Sequence, residues 1–223
     1  KRTMKHFFLP LLAAATLLAA CGGATEQPAA SDTQSGDAVE TKLGDGIYVI
    51  NKVKPKVTWA AQKLTGDGHN GTLHIESGKF KVDNGNVTEG LVVFDMARIE
   101  VTDLTGDSKA DLEGHLRGGD FFNVETHPKA ELRVLGITDN AGVNTLNTTL
   151  TMNGVAVDYN IPVQLVEAEV PGNVKGLAIQ GKFDLDRTKH DIIYQSGTFF
   201  EGLDWAIKDN VRVGFSIIGV PSM

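Results

Sequence analysis

Histidine is the residue type of this chain that could bind a metal ion or transfer a proton, and five histidines lie beyond residue 20. They are His69, His74, His115, His127 and His190. A zinc site needs three or four ligands of this kind, or carboxylates, to converge. The spacing does not impose this, because His69 and His74 are five positions apart and would lie on opposite faces of a regular strand. We interpret the histidines as surface or turn residues. A metal-dependent enzyme using His69, His115 and His127 is the less favoured alternative.

Sequence motifs for catalysis are absent. The chain has no serine-hydrolase elbow, no phosphate-binding loop and no His-Glu-x-x-His zinc motif. The letters of a dinucleotide-binding motif occur at 66–71, but a β-type run follows them where a helix would be needed. Asp184 and Asp186 share one face of a predicted strand, in alternation with Phe183 and Leu185. We therefore predict no enzymatic activity and no cofactor.

The N-terminal segment predicts export and lipid attachment. Basic residues at positions 1, 2 and 5 precede an apolar run at 7–20, which is shorter than the roughly 20 residues needed to cross a bilayer. The sequence Leu18-Ala19-Ala20-Cys21 resembles a bacterial lipobox, and Cys21 is the only cysteine. We predict a signal peptide over residues 1–20 and a diacylglycerol on Cys21, whose two acyl chains suffice for stable anchoring. Gly22 stands where an Asp would favour retention in the inner membrane, so the outer membrane is favoured, with the protein facing the periplasm or the cell surface.

The segment after Cys21 predicts a flexible tether. Residues 22–42 contain no aromatic residue and one large aliphatic residue, Val39, which is too little apolar surface to fold. Beyond residue 20 the chain has 18 basic against 28 acidic residues, a net charge of −10. This charge argues against nucleic acid as a partner and against electrostatic docking on an anionic membrane.

Residues 43–223 predict one β-rich domain. Asn84-Gly85 and Asn153-Gly154 are typical of type I′ hairpin turns. One segment does not follow the strand pattern. The spacing of its apolar residues predicts a short helix around residues 107–117, capped by Asp107 or Ser108 and ended by Gly118. Neighbouring strands at hairpin spacing predict antiparallel pairing in a closed barrel or a sandwich. The ten candidate strands are 47–50, 57–59, 72–75, 79–82, 91–94, 130–137, 145–152, 155–166, 177–185 and 211–220.

Eight segments along the chain carry a resemblance to a known family: 57–59, 68–71, 112–116, 119–125, 127–130, 150–154, 183–188 and 194–197. In this order they resemble the YceI-like family. The resemblance covers residues 46–220. It implies an all-β, antiparallel, lipocalin-like barrel whose interior holds an isoprenoid or a similar long amphiphile. Where the family pattern has Tyr or Trp followed by Gly, this chain has His190-Asp191.

Aromatic residues are the candidate lining of that interior. The residues alone leave two alternatives, because in an eight-stranded barrel such side chains either fill the core or line a slot for one ligand. The resemblance favours the slot. For the Phe199-Phe200 pair we expect one ring inside and one at the rim. The predicted lining residues are Trp59, Phe94, Phe121, Phe122, Tyr194 and Phe200.

Arg187 has two interpretations. We favour an ion pair, or a clamp on backbone carbonyl groups, at the barrel rim. The alternative is a contact with a ligand headgroup, since arginine suits a phosphate or phenol oxygen.

The leading hypothesis is a lipid-anchored carrier of an isoprenoid-type lipid, such as a prenylquinone-like molecule. The alternatives are a structural or surface-contact lipoprotein with a filled core, and the metal-dependent enzyme described above. The expected partners are the bound lipid and the membrane that holds Cys21. A homodimer is one of the oligomeric states that the sequence leaves open.

Overall fold

A computed structural model describes residues 43–51 and 56–222 of the chain. The predicted signal peptide, Cys21 and the predicted tether lie outside the described residues. One helix, α1, spans Gly106–Arg117, and a 3-10 helix spans Arg187–His190. In the described ranges no helix is long and apolar enough to cross a membrane. The strands are β1 (Gly46–Ile50), β2 (Lys56–Gln62), β3 (Gly68–Asp83), β4 (Asn86–Val101), β5 (Lys129–Asn140), β6 (Val143–Met152), β7 (Val155–Val170), β8 (Val174–Asp186) and β9 (Asn210–Pro221).

Eight strand positions close into an antiparallel barrel. The order runs β3-β2-β9-β8-β7-β6-β5-β4, and pairing of β4 with β3 completes the ring. β1 and β2 occupy successive parts of one position, because both pair antiparallel with β3 and with β9. The predicted all-β, lipocalin-like barrel with one short helix is therefore confirmed.

Tight turns explain why neighbouring strands pair. Asn84 and Gly85 have φ angles of 51° and 78°, and the turn at 153–154 has nearly the same values. These left-handed conformations are those of type I′ turns, as predicted. A third turn of this kind, Ala141-Gly142, has φ angles of 54° and 85°. Sequence reasoning missed it because alanine seldom adopts a positive φ.

The two strands predicted at 72–75 and 79–82 are one strand, β3. The pairing of β3 with β4 shifts register between Ile75 and Ser77, and such a bulge lets a strand curve around a barrel without ending. Gly78 permits a close approach at this bend, since a Cβ there would lie 2.2 Å from Cδ1 of Ile50. The small residues that suggested a break therefore mark a bend within a continuous strand.

The helix lies where the sequence predicts it, but it begins differently. Its N-cap is Thr105, whose side chain makes no capping hydrogen bond, so the predicted cap at Asp107 or Ser108 is wrong. Asp107 lies instead in the first turn, where a carboxylate interacts favourably with the helix dipole. Gly118 ends the helix as predicted, and its N–H donates to two carbonyl oxygens of the last turn.

Apolar clusters occupy both ends of the barrel interior. At the end with the β3–β4 hairpin, Tyr48 stacks on Phe80 with ring centroids 5.3 Å apart, within a fully apolar cluster. At the other end Leu116 of α1 packs against Ile99 and Val101 of β4. Since α1 follows β4 directly, it lies over the end of the barrel at which β4 finishes, which we call the α1 end.

Candidate functional site

An apolar cavity of about 180 Å³ lies inside the barrel. Its wall comes from the inward-facing side chains of the strands, which alternate along each strand, as in Val92, Phe94 and Met96 on β4. These lining side chains are almost all aliphatic or aromatic, so the cavity offers dispersion contacts and little polar recognition. Other lining residues are Leu73, Ile75, Ala130, Leu132, Leu150, Met152, Phe183, Leu185, Val213 and Phe215.

Four of the six predicted aromatic residues lie in this wall: Trp59, Phe94, Phe121 and Phe122. Phe121 and Phe122 both face the cavity although they are adjacent, because they lie in the irregular segment after α1. The Phe122 N–H bonds to the carbonyl of Leu116 there. Strict alternation applies to regular strands and does not govern such a segment.

Trp59 depends on a glycine of the neighbouring strand. Trp59 of β2 pairs with Gly71 of β3, and a Cβ on Gly71 would lie 2.7 Å from Cε2 of the indole. The indole therefore lies directly on the β3 backbone. Among the described residues its Nε1 is a buried donor with no hydrogen-bond partner.

Tyr194 is not part of the cavity wall in the described structure. Its ring contacts Phe121, with centroids 5.2 Å apart, and His115, with centroids 6.3 Å apart. The Tyr194 hydroxyl accepts a hydrogen bond from the side chain of Gln195. Tyr194 therefore packs against Phe121, which lines the cavity, without lining the cavity itself. This contact joins the segment after α1 to the segment before β9.

Phe200 was predicted to line the cavity, and this prediction is wrong. Its side chain is 45% exposed, and Phe199 is exposed as well. Both backbone N–H groups donate to the carbonyl of Ser196, so the two residues form part of one turn and not of a strand. The expectation that one of the two rings faces inward therefore fails.

Arg187 clamps the backbone, as the favoured interpretation states. Its side chain is buried, and its N–H groups donate to the carbonyl oxygens of Ile192, Tyr194, Ile207 and Lys208. Burial lowers the pKa of the guanidinium, and the carboxylate of Asp209, 3.5 Å away, opposes that shift. The residue contributes to the cavity wall, but its guanidinium is bonded to the protein and is not free for a ligand headgroup.

The histidines of the alternative enzyme hypothesis do not converge. His69 Nδ1 lies 2.9 Å from the carboxylate of Asp103, and His74 Nε2 lies 2.6 Å from a guanidinium nitrogen of Arg98. His115 contacts Tyr194, and His127 lies against Gly154 in the β6–β7 turn. Within residues 43–51 and 56–222, no group of three or more His, Cys, Asp or Glu side chains could hold a metal ion. The structure does not bring His69, His115 and His127 together.

His190 lies in the 3-10 helix but is fully buried, so the interpretation of all five histidines as surface or turn residues missed its place in the interior. Its Nδ1 lies 3.0 Å from the carbonyl of Val155, and burial lowers its pKa. The following residue, Asp191, has a φ of 59°. That is the left-handed conformation for which glycine is suited, and aspartate is one of the few other residues that adopt it. The departure of His190-Asp191 from the family pattern was the sequence feature that could have drawn attention to this residue.

Sequence reasoning also missed the aliphatic part of the wall. It selected aromatic residues, whereas Ile75, Val92, Met96 and Leu150 line the cavity as well. Extending the inward alternation along each predicted strand would have found them.

Comparison with known proteins gives a family and a fold. The sequence matches the YceI-like domain over residues 48–218. The structure resembles BcnA of Burkholderia cenocepacia, with a TM-score of 0.60 at 17% identity, over 76% of this chain and 98% of that one. It also resembles a polyisoprenoid binding domain from Saccharophagus degradans implicated in plant cell wall breakdown, with a TM-score of 0.54 at 15% identity, over 78% and 98% of the two chains. A Campylobacter jejuni YceI protein gives a TM-score of 0.50 at 13% identity, over 68% of this chain and 81% of the other. Comparison with curated proteins gives no match.

Proposed function

This chain belongs to the YceI-like family, and we propose that its barrel binds or carries a polyisoprenoid or a similar long-chain amphiphile. The observation that carries the proposal is the apolar cavity inside the closed barrel. A similar fold is described as a polyisoprenoid binding domain in Saccharophagus degradans, which supports the same ligand class here. The site is suited to binding, since its wall has neither an acid–base pair nor a metal-binding cluster among the described residues.

The energetics of an apolar wall favour a long tail. Three isoprene units bury about fifteen carbons at ~0.8 kcal/mol each, which is on the order of 12 kcal/mol. Loss of free motion and ordering of the ligand oppose this with about 4–15 kcal/mol. A short apolar molecule would therefore bind poorly. A prenylquinone-like lipid or a polyisoprenoid of several units is the expected ligand, with little discrimination between headgroups.

The ligand has to enlarge the cavity. Ligand pockets commonly occupy roughly 300–1,000 Å³, whereas this cavity measures about 180 Å³. Met96 and Met152 are suited to such a change, because methionine side chains are unbranched and adapt their shape readily. The small volume also favours a second candidate, a structural or surface-contact lipoprotein whose core is filled by its own side chains.

We place the protein at the cell envelope. The lipobox at 18–21 supports attachment through a lipid on Cys21, and Gly22 supports the outer membrane, facing the periplasm or the cell surface. The predicted tether of residues 22–42 would let the barrel move near the bilayer that holds its anchor.

Native mass spectrometry of the lipoprotein, released gently from its membrane, tests the proposal. We expect one noncovalent long-chain amphiphile per chain, and an organic extract analysed by chromatography and mass spectrometry identifies it. Denatured protein is the control, since it keeps the covalent lipid on Cys21 and loses the bound one. Protein without an adduct would support the filled core, and a stoichiometric metal would support an enzyme.

A further inference from the structure

Five large apolar side chains are exposed together around two loops at the α1 end of the barrel. Leu64 lies between β2 and β3, and the others lie between the 3-10 helix and β9. Leu64 is 59% exposed, Phe199 54% and Trp205 51%. All strongly exposed aromatic side chains of the described residues belong to this group. We call Leu64, Ile193, Phe199, Phe200 and Trp205 the aromatic patch.

Backbone hydrogen bonds hold the aromatic patch in place. The Leu64 N–H donates to the carbonyl of Ala206 at 2.8 Å, which joins the two loops. Cδ1 of Leu64 lies 3.5 Å from the position that a Cβ on Gly197 would occupy. Ser196 and Ala206, which lie beside the exposed rings, are fully buried. The exposed side chains therefore stand on an ordered base, and their exposure is a property of the folded domain.

The segment that carries most of the aromatic patch also lines the cavity. Ile192 and Ile207 contribute to the cavity wall, while Ile193 and Trp205 face outward nearby in the chain. One side of the segment thus contacts the barrel interior, and the other side presents apolar surface to the surroundings.

We propose that the aromatic patch docks into the interfacial region of a lipid bilayer composed mainly of zwitterionic lipids. Trp and Phe side chains are suited to this region, and exposed apolar clusters mark sites of membrane or protein interaction. The negative charge of the loop and of the chain beyond residue 20 indicates which lipid composition we expect. Glu201 and Asp204 are exposed and lie between Phe200 and Trp205 in the chain, and the net charge of −10 beyond residue 20 disfavours an anionic surface. This inference goes beyond lipid carriage, because a barrel with a filled core could dock in the same way.

The predicted anchor allows this orientation. The described chain begins at Leu43, beside β1, at the end of the barrel opposite to α1. β3 has 16 residues. A strand of that length, tilted by about 40°, spans roughly 40 Å along the barrel axis. The 21 residues from 22 to 42 reach up to about 70 Å when extended. The aromatic patch can therefore contact the same bilayer that holds Cys21.

Fluorescence quenching in the reconstituted lipoprotein tests the proposal. The protein is placed, through its own anchor, in vesicles of phosphatidylcholine with brominated acyl chains. We expect strong quenching of Trp205, and loss of most of it in a variant with Phe199→Ser and Phe200→Ser. Replacing part of the phosphatidylcholine by phosphatidylglycerol should weaken the quenching. A Trp205→Phe variant gives the background from Trp59, the other tryptophan.

The matched control carries Leu135→Ser and Val143→Ser, which remove apolar side chains of similar exposure from β5 and β6. It should keep the quenching, and thermal unfolding should show that both double variants fold. Trp205 emission that is insensitive to brominated lipid would overturn the proposal, as would quenching that survives Phe199→Ser with Phe200→Ser. Shielding of Trp205 by a second copy of the chain, without bromine quenching, would also overturn it. The lipid content of the cavity is measured separately by native mass spectrometry, so this inference and the proposed function can fail independently.

Discussion

The hydroxyl oxygen of Tyr159 lies 3.0 Å from Nε2 of His190, and the two rings are stacked with centroids 6.0 Å apart. Burial raises the pKa of Tyr159 to about 12, so its hydroxyl stays protonated and donates to Nε2. Nδ1 of His190 then donates to the carbonyl of Val155. The contact joins β7 to the 3-10 helix after β8, and the Tyr159 hydroxyl can donate in it only when Nε2 carries no proton.

We predict that acid destabilises the fold through His190. Burial lowers the folded-state pKa of His190, so below the unfolded pKa the unfolded chain binds a proton that the folded chain does not. The free energy of unfolding contributed through His190 should be constant well above the ordinary histidine pKa and should fall as the pH drops below it. Urea unfolding at several pH values measures this. In His190→Gln the free energy of unfolding should depend less on pH. An equally steep fall of this free energy with pH in that variant would mean that other groups cause the effect.

Phe94→Trp should fill part of the cavity. We expect loss of the bound lipid with little change in melting temperature, because the larger ring occupies empty space. If the core is already filled, overpacking should instead lower the stability by about 1–3 kcal/mol. Phe200→Trp, on the exposed surface, is the control and should retain the lipid. Native mass spectrometry and thermal unfolding are measured on the same samples.

Gly71→Ala should be severely destabilising. A Cβ at this position would lie 1.8 Å from the carbonyl oxygen of Glu100 and 2.6 Å from the Trp59 ring. Forcing the strands apart should reduce the free energy of unfolding by more than about 2 kcal/mol. Gly114→Ala in α1 meets nothing within 4 Å and should stabilise the protein by about 0.5–1 kcal/mol. Similar denaturation midpoints for the two variants would contradict the close packing of Gly71 against Glu100 and Trp59.

Arg187→Lys should lose the backbone clamp. Lysine keeps the charge near Asp209 but cannot reproduce the planar set of N–H donors, so some of the carbonyl groups lose their donor. We expect a loss of more than about 2 kcal/mol. Arg212→Lys changes an exposed pair with Asp184, and the expected loss there is at most about 1 kcal/mol. Chemical denaturation compares the two, and equal small effects would show that the clamp contributes little.

Cys21→Ser should remove membrane attachment, because no other group supplies two acyl chains. The expected product is either soluble or unprocessed, and fractionation together with the mass of the N-terminus distinguishes these two results. The aromatic patch is removed in the same protein by Phe199→Ser and Phe200→Ser, so that it cannot hold the barrel on the bilayer. If this processed Cys21→Ser protein still stays with membranes after a high-salt wash, the lipobox interpretation is wrong.

Local patterns in the sequence were enough to predict most of the strands, two of the turns and the position of the helix. Alternation with period two and Asn-Gly turns act over a few residues, so they can be recognised without knowing what packs against them. The tertiary structure decided the rest. Whether Phe200 faces inward depends on a turn around Ser196, which no periodicity describes. The continuity of β3 depends on its register with β4, and the cavity volume depends on the packing of all eight strand positions at once. The continuity of β3 and the cavity volume result from contacts between residues distant in the chain, which no single segment of the sequence contains.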